Sequence, residues 1–437
     1  MSLSQIDIKT LKRRLRRKGF GHTLSALLLF SKKDAEGKPC SPLADSYARS
    51  LHCMDQWVVS EGVMTSHYCK NRWCPECNRI RTAVLINTYM PRLVEEFGKD
   101  GLYFVTLTRR NVQKEDLKQE LQEYHKIWSV LTDKATFRHR LRPDKAVKAH
   151  LQKAENARKK ADMWQNRDCF TFPNREERVQ HFLSIEQKEL QLAEKWKGVN
   201  PMIGLRKLEC TYHHQKYLIY RQKGGIVQYQ TDICGNKIAD PWHDTYHPHF
   251  HILVNSKEMA EWLISTWLEL CGDKADAKAQ HYEAVYDSSK KESRKGKKGL
   301  LEIFKYFTKL ISKIEVPGTK DGRWHIFANE LDNIFTAMAG RRVFQRFGKD
   351  EIWRCAEVDE DNIEEEATIE GLEDDVYEFI QSGIWGDGEW AMVSRQTGDI
   401  LVSVQRTGKL CDMLRDSEEV VGVDQEQLHK IEEGPPH

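Results

Sequence analysis

The segment TYHPHFHILVN, residues 245–255, sets histidines at alternate positions: His247, His249 and His251. In an extended strand, side chains alternate between faces, so these three rings project to one side. Phe250, Ile252, Leu253 and Val254 are residues that suit a buried strand. The segment therefore predicts a strand with an apolar face and a face of imidazoles. Neutral imidazole is the commonest side-chain metal ligand, and two or three on one face chelate without rearranging the backbone. A surface strand whose histidines only hydrogen-bond is the plainer alternative. Three in register, followed by a hydrophobic run, favour metal.

A second cluster lies upstream, with Cys53, Cys69, Cys74 and Cys77 inside LHCMDQWVVSEGVMTSHYCKNRWCPEC. A CxxC knuckle with a second thiol pair upstream gives Zn²⁺ four sulfur ligands, and such a closed tetrahedral site is structural. His52 and His67 could each replace one cysteine, and four free buried thiols are the plainer alternative. Nothing in the chain reads as a secretory signal: the basic IKTLKRRLRRKGF is followed by ALLLF, too short an apolar run. No window reaches the length of a membrane span. The expectation is a soluble, cytoplasmic protein with no membrane partner, in which clustered cysteines hold metal.

Charge narrows the partners. Residues 356–437 hold 23 acidic against 5 basic groups, a net of −18, while residues 1–355 carry a net of +20. A basic body joined to an acidic tail is the asymmetry of a nucleic-acid binder. Lys70, Arg72, Arg79 and Arg81 surround the cysteine knuckle, and Arg109 and Arg110 close the β-rich GLYFVTLTRR; with Lys305 and Lys313 they are the candidate phosphate contacts. The stretch 356–382 has 12 acidic residues and no Lys or Arg, and predicts a disordered or loosely held segment.

The expected organisation is a basic, irregular segment over 1–50, partly helical around Leu11–Phe20, then a zinc-binding module over 51–90. An α+β domain over 91–315 follows, with a helical arm inserted at about 139–199. A basic connecting region over 316–355 and the acidic region 356–437 complete the chain. Strands are predicted at GLRKLECTYHH and HYEAVYD, hairpins at KYLIYRQ/IVQYQTD and EWAMVSRQTGDILVSVQR, and a helix over LLEIFKYFTKLISKI. On that helix Glu302 and Tyr306 lie one turn apart, and Lys309 and Lys313 continue the face. Alone this is an ordinary amphipathic helix. Beside a metal, a phenol can attack a polarised phosphodiester, a lysine can steady the charge, and a glutamate can act as general base. Glu209, in KLECTY, could add a carboxylate to the histidines, with His213 and His214 as competitors.

Taken together and in order, FVTLTRRN, HPHFHILV and EIFKYFTK resemble the three motifs of plasmid rolling-circle replication initiators of the HUH endonuclease superfamily. CKNRWCPEC is similar to the cysteine cluster of one branch. The resemblance covers roughly residues 50–315. It implies an antiparallel five-stranded sheet with flanking helices, the histidines on a central strand and the tyrosine on a nearby helix. It implies that Tyr306 nicks one DNA strand at an origin hairpin or single strand, forming a 5′-phosphotyrosine and leaving a 3′-OH primer, and that the displaced strand is later cut and rejoined. His249 and His251 would hold Mg²⁺ or Mn²⁺, with Glu209 or His247 completing the set, and Glu302 would activate water for termination in the single-tyrosine branch. Host helicase and replication machinery are the partners that role requires; the oligomeric state, a homodimer included, is left open. An HUH transposase or relaxase, and a non-enzymatic DNA-binding protein with two structural zincs, are the rival readings.

Overall fold

The computed structural model describes residues 8–97, 101–168, 170–222, 225–285, 312–319, 323–348, 367–368, 374–382 and 387–407. Two sheets organise them. The first is a five-stranded antiparallel sheet in the order Phe344–Phe347, Gly204–His213, Thr245–Val254, Tyr103–Thr108, His281–Ala284. The histidine strand is its middle member. Alternation along this strand decides which face is covered. Tyr246, Phe250, Ile252 and Val254 point into the core, where they meet Leu117, Leu121, Tyr124 and Trp128 of helix Lys114–Asp133. Trp267 of helix Lys257–Cys271 and Ile334 and Phe335 of helix Ala328–Met338 close that layer. Phe250 is ringed by Tyr124, Trp128 and Trp267 at centroid distances of 5.2, 5.6 and 5.7 Å. Burial of each such ring contributes about 1.5–3 kcal/mol, which commits the strand to this orientation. The opposite face is left to the imidazoles.

The arm is two long helices, Pro143–Gln165 and Arg175–Trp196, packed along one another. His150, Ala154, Ala157 and Ala161 recur at helical spacing on the buried side of the first, facing Val179, Ala193 and Trp196 of the second. Small side chains let the two backbones lie close, and the outer faces are charged.

The second sheet has six strands, in the order Ala367–Thr368, Val63–Ser66, Gln56–Ser60, Asp375–Ser382, Asp387–Ser394, Ile400–Thr407. Its first hairpin turns at Glu61 and Gly62, both with positive φ (51° and 72°), as a tight two-residue connection requires. Helix Ile8–Leu29 lies across the sheet, burying Leu11 and Leu15 with Trp57, Trp390, Met392 and Val404. Its basic residues are partly internal: Arg14 donates to the Tyr68 hydroxyl at 2.7 Å, Lys18 pairs with Asp55 and Arg17 with Glu76. The later turns of the same helix, with Phe20, Leu24 and Leu28, are buried in the first core, beside which a buried carboxylate is held. Asp332 accepts from Ser41 Oγ at 2.5 Å and Tyr47 Oη at 2.8 Å and pairs with Lys32.

Four expectations are corrected. Residues 1–50 are not mainly irregular, because one helix runs from Ile8 to Leu29. The acidic stretch 356–382 is not loose throughout: Asp375–Ser382 is hydrogen-bonded between two strands, with Asp375 buried and its carboxylate accepting from Ser394 Oγ. A unit ending at 315 omits part of its own sheet and core, since edge strand Phe344–Phe347 and helix Ala328–Met338 belong to both. The helix predicted through Ile314 does not take in Ser312–Ile314, which is a strand paired with Arg323–His325. Residues 286–311, which include Glu302, Lys305, Tyr306 and Lys309, lie outside the described residues. No helix among the described residues is long and apolar enough to cross a membrane.

Gly19 tests how the terminal layer packs. A Cβ there would stand 2.2 Å from the Trp390 ring. Helix propensity alone would make Gly19→Ala stabilising by about 1 kcal/mol. Overpacking should reverse the sign and cost about 1–3 kcal/mol in urea denaturation, with Trp390→Leu recovering part of the loss.

Candidate functional site

Strand pairing builds the first candidate site. Glu209 sits directly opposite His249, and on the other flank Thr106 opposes His251 and Thr108 opposes His249. One ligand atom each from Glu209, His249 and His251 falls within 4.8 Å of the others. Glu209 and His249 are buried, and His251 is half-buried. His249 Nδ1 lies 3.1 Å from the His247 carbonyl oxygen. A carbonyl only accepts, so Nδ1 carries the proton and the Nε2 lone pair is left for a ligand. His251 Nδ1 contacts Thr106 Oγ1 at 3.3 Å and Nε2 lies 3.4 Å from Glu209 Oε2. This mixed nitrogen and oxygen set fits a divalent ion that keeps positions for phosphate or water.

His247 does not join the group. Its Nδ1 meets Asn111 Oδ1 at 2.6 Å and its Nε2 meets Thr108 Oγ1 at 3.0 Å, so both ring nitrogens are engaged. Of the two candidates for the third ligand, the structure brings Glu209 to the histidines. His213 pairs with Asp240 at 2.9 Å, and His214 stacks on Phe327; neither competes for the site.

One member of the site was not anticipated. Lys207 is buried, and its Nζ lies 2.9 Å from Glu209 Oε2. The sequence did carry the signal, since KLE sets Lys207 two residues before Glu209, on the same face of a strand. Burial works against the charged form of Glu209, but Lys207 and the two histidines overcome it and hold the carboxyl well below its usual range. Burial has the opposite consequence for His249, pushing it down to about 3 despite the neighbouring Glu209.

The second candidate site is the cysteine cluster. The sulfurs of Cys53, Cys69, Cys74 and Cys77 also lie within 4.8 Å of one another, and Cys77 Sγ is 3.6 Å from both Cys53 Sγ and Cys69 Sγ. Met54 and Lys70, each directly after a cysteine, take positive φ (60° and 55°), and Pro75 opens helix Pro75–Phe97 between Cys74 and Cys77. Hydrogen bonds among the sulfurs push the Cys53 and Cys74 thiols up and Cys69 down, as expected of four thiols sharing a space that suits a cation. His52 is bonded to Asp55 and His67 is exposed; neither belongs to the group.

The candidate phosphate contacts divide. Lys70, Arg72 and Arg110 are exposed. Arg79 is bound to Glu76 at 2.8 Å. Arg81 is buried and donates to the carbonyls of Lys70 and Asn71, so it braces the knuckle, and Arg109 is buried against Glu120 at 3.1 Å. Lys313 lies in the strand Ser312–Ile314.

The low value of His249 sets a pH dependence. Between about pH 6.5 and 3, the unfolded chain protonates this histidine and the folded chain does not. The unfolded state then binds more protons, so stability falls as pH falls through that window, by up to about 1.4 kcal/mol per pH unit. Denaturation of metal-free protein at pH 7, 6 and 5 should show this slope, and His249→Gln should flatten it.

Residues 61–184 match a family model described as a replication protein. The match starts in the Glu61–Gly62 turn and takes in Cys69, Cys74, Cys77 and the strand Tyr103–Thr108, ending inside the second arm helix. Glu209 and the histidine strand lie beyond it. No curated protein and no solved structure gives a significant match. Over that segment, the chain is similar to replication proteins.

Proposed function

We propose that this protein initiates rolling-circle plasmid replication as a metal-dependent single-strand DNA nickase of the HUH type. The observation that carries the reading is the meeting of Glu209 with His249 and His251 at the centre of a five-stranded antiparallel sheet, from strands separated by a long hairpin. The similarity of residues 61–184 to replication proteins supports it independently. So does the order of the three motifs along the chain.

On this reading Glu209, His249 and His251 hold Mg²⁺ or Mn²⁺, which when bound polarises the scissile phosphate and offsets its charge. The Tyr306 hydroxyl gives its proton to solvent and attacks phosphorus; the P–Oη bond forms as the P–O3′ bond breaks, and the 3′ oxygen takes a proton from solvent to leave as the primer hydroxyl. Lys309 steadies the developing charge, and Glu302 takes the proton from water at termination. Lys207 holds the Glu209 carboxylate in place and balances its charge within the sheet. Thr106 and the His247 carbonyl fix the two histidine rings. The four cysteines hold structural Zn²⁺, and the exposed Lys70, Arg72 and Arg110, with Lys305 and Lys313, contact DNA phosphates. Host helicase and the replication machinery would take over at the exposed 3′-OH.

The test incubates the protein with single-stranded oligonucleotides from its own replicon's origin, with and without Mn²⁺, and resolves the products on a denaturing gel. A slow-migrating covalent adduct should form only with metal and should vanish in Tyr306→Phe. Glu209→Gln should lower the adduct yield at limiting Mn²⁺ by about 10–100-fold or more, given that supporting contacts alone are worth that much. An adduct that survives Tyr306→Phe, or no adduct on any origin strand, would overturn the reading.

A further inference from the structure

A cleft at the end of the strand Gly204–His213 plays no part in holding the metal. It encloses about 420 Å³, within the range of about 300–1,000 Å³ that small-molecule pockets occupy. Part of its wall is aromatic: Phe327 is stacked on His214 at 4.8 Å between ring centroids and sits edge-on to Tyr212 at 5.2 Å. Leu331 and Ile334, from the helix Ala328–Met338, add an apolar surface. Three carboxylates also line the cleft, from Asp240, Glu315 and Glu330. Two already have a partner: Asp240 Oδ2 lies 2.9 Å from His213 Nε2, and Arg221 donates to Glu315 Oε1. Glu330 has no cationic partner among the described residues; Asn329 Nδ2 reaches its Oε1 at 3.5 Å.

A flat aromatic wall with carboxylate acceptors, Glu330 and the buried Glu315 Oε2 that meets no donor among the described residues, suits a planar ring that carries an amino group. Position identifies which kind. Thr211 and His213, in the cleft wall, continue the Glu209 face of the strand, while Tyr212, His214 and the helix that carries Glu330 lie on its other face, so the cleft wraps the strand's end. Four residues of strand put the cleft about 13 Å from the metal group. A base within a few nucleotides of a phosphate held at the metal reaches that far. An unpaired base turned out of the strand is recognised by aromatic contact on its face and hydrogen bonds on its Watson–Crick edge.

We propose that this cleft receives one unpaired nucleobase with an exocyclic amino group, adenine, cytosine or guanine, from the strand that crosses the metal group, and that Glu330 accepts from that amine while Phe327 lies against the ring. The inference rests on the nickase reading for which strand is bound. Thymine, which has no exocyclic amine, is disfavoured. The cleft thus supplies base selectivity beside a metal site that sees only phosphate.

The probes are fluorescently labelled oligo-dT of nine residues and three scanning sets, each with a single dA, a single dC or a single dG at one position. Anisotropy is read with the full chain and no added divalent ion, so no cleavage intervenes. One register should bind more tightly than oligo-dT by about 5- to 150-fold, the discrimination of one good side chain–base pair. In Glu330→Ala the ratio should fall to near one. Glu330→Gln, which keeps an acceptor without the charge, should fall between. Equal affinity across the whole set, or an undiminished ratio in Glu330→Ala, overturns the proposal. A base preference here, with no covalent adduct in the Mn²⁺ gel assay, would count against the nickase and leave the cleft assignment standing.

Discussion

The register of Gly204–His213 against Thr245–Val254 is the constraint on which the candidate site depends. A slip of one residue would turn Glu209 to the helix-covered side and put Leu208 among the imidazoles. Two features oppose such a slip. Leu208 and Cys210 are buried with Phe250 on the core side, so apolar burial fixes the phase of the alternation. At the strand's start, Gly204 lies where a Cβ would meet the Phe347 ring at 2.3 Å and the Leu253 carbonyl oxygen at 2.6 Å. Only glycine fits between the edge strand and its neighbour, and that pins one end of the ten-residue ladder.

With the register fixed, the electrostatics of the site follow. Glu209 arrives buried, and such a carboxylate needs compensation. Lys207 supplies it from the same strand, and the histidines add to it. The sheet is therefore charge-balanced before any ion binds. The cysteine cluster is the contrary case, in which four sulfurs share one small space between Cys53 and the start of a helix. Metal binding there is expected to be coupled to folding, whereas the Glu/His/His group can form first and bind afterwards.

Much of this site was legible in the sequence because its signals are local. Alternating histidines specify a strand and a face, and the C-x2-C spacing of Cys74 and Cys77 specifies a knuckle. Their local order survives whatever lies between them. What was not legible depends on pairing between distant segments. Nothing in the acidic run before Ser382 says that it adds to the strand Gln56–Ser60, because that partner lies more than 300 residues away. Which of Glu209 and His247 the fold brings to the other two histidines was likewise set by register and by Asn111 and Thr108, which occupy both nitrogens of His247. Arg81 and Arg109 look like DNA contacts by composition. Their burial against carbonyls and against Glu120 is a matter of packing, which residue type alone does not reveal.

The two ends of the chain share the six-stranded sheet, and the helix Ile8–Leu29 ties it to the cysteine module through Arg14, Arg17 and Lys18. Basic residues that would count toward a nucleic-acid surface are thus spent partly on internal contacts. The centre of the account is the Glu209–His249–His251 group, and Mn²⁺ titration followed by electron paramagnetic resonance tests it most directly. The account predicts one Mn²⁺ site per chain in the zinc-loaded protein, lost in His251→Ala and Glu209→Gln and kept in Tyr306→Phe and His247→Ala. Equal Mn²⁺ binding by the parent, His251→Ala and Glu209→Gln would contradict it.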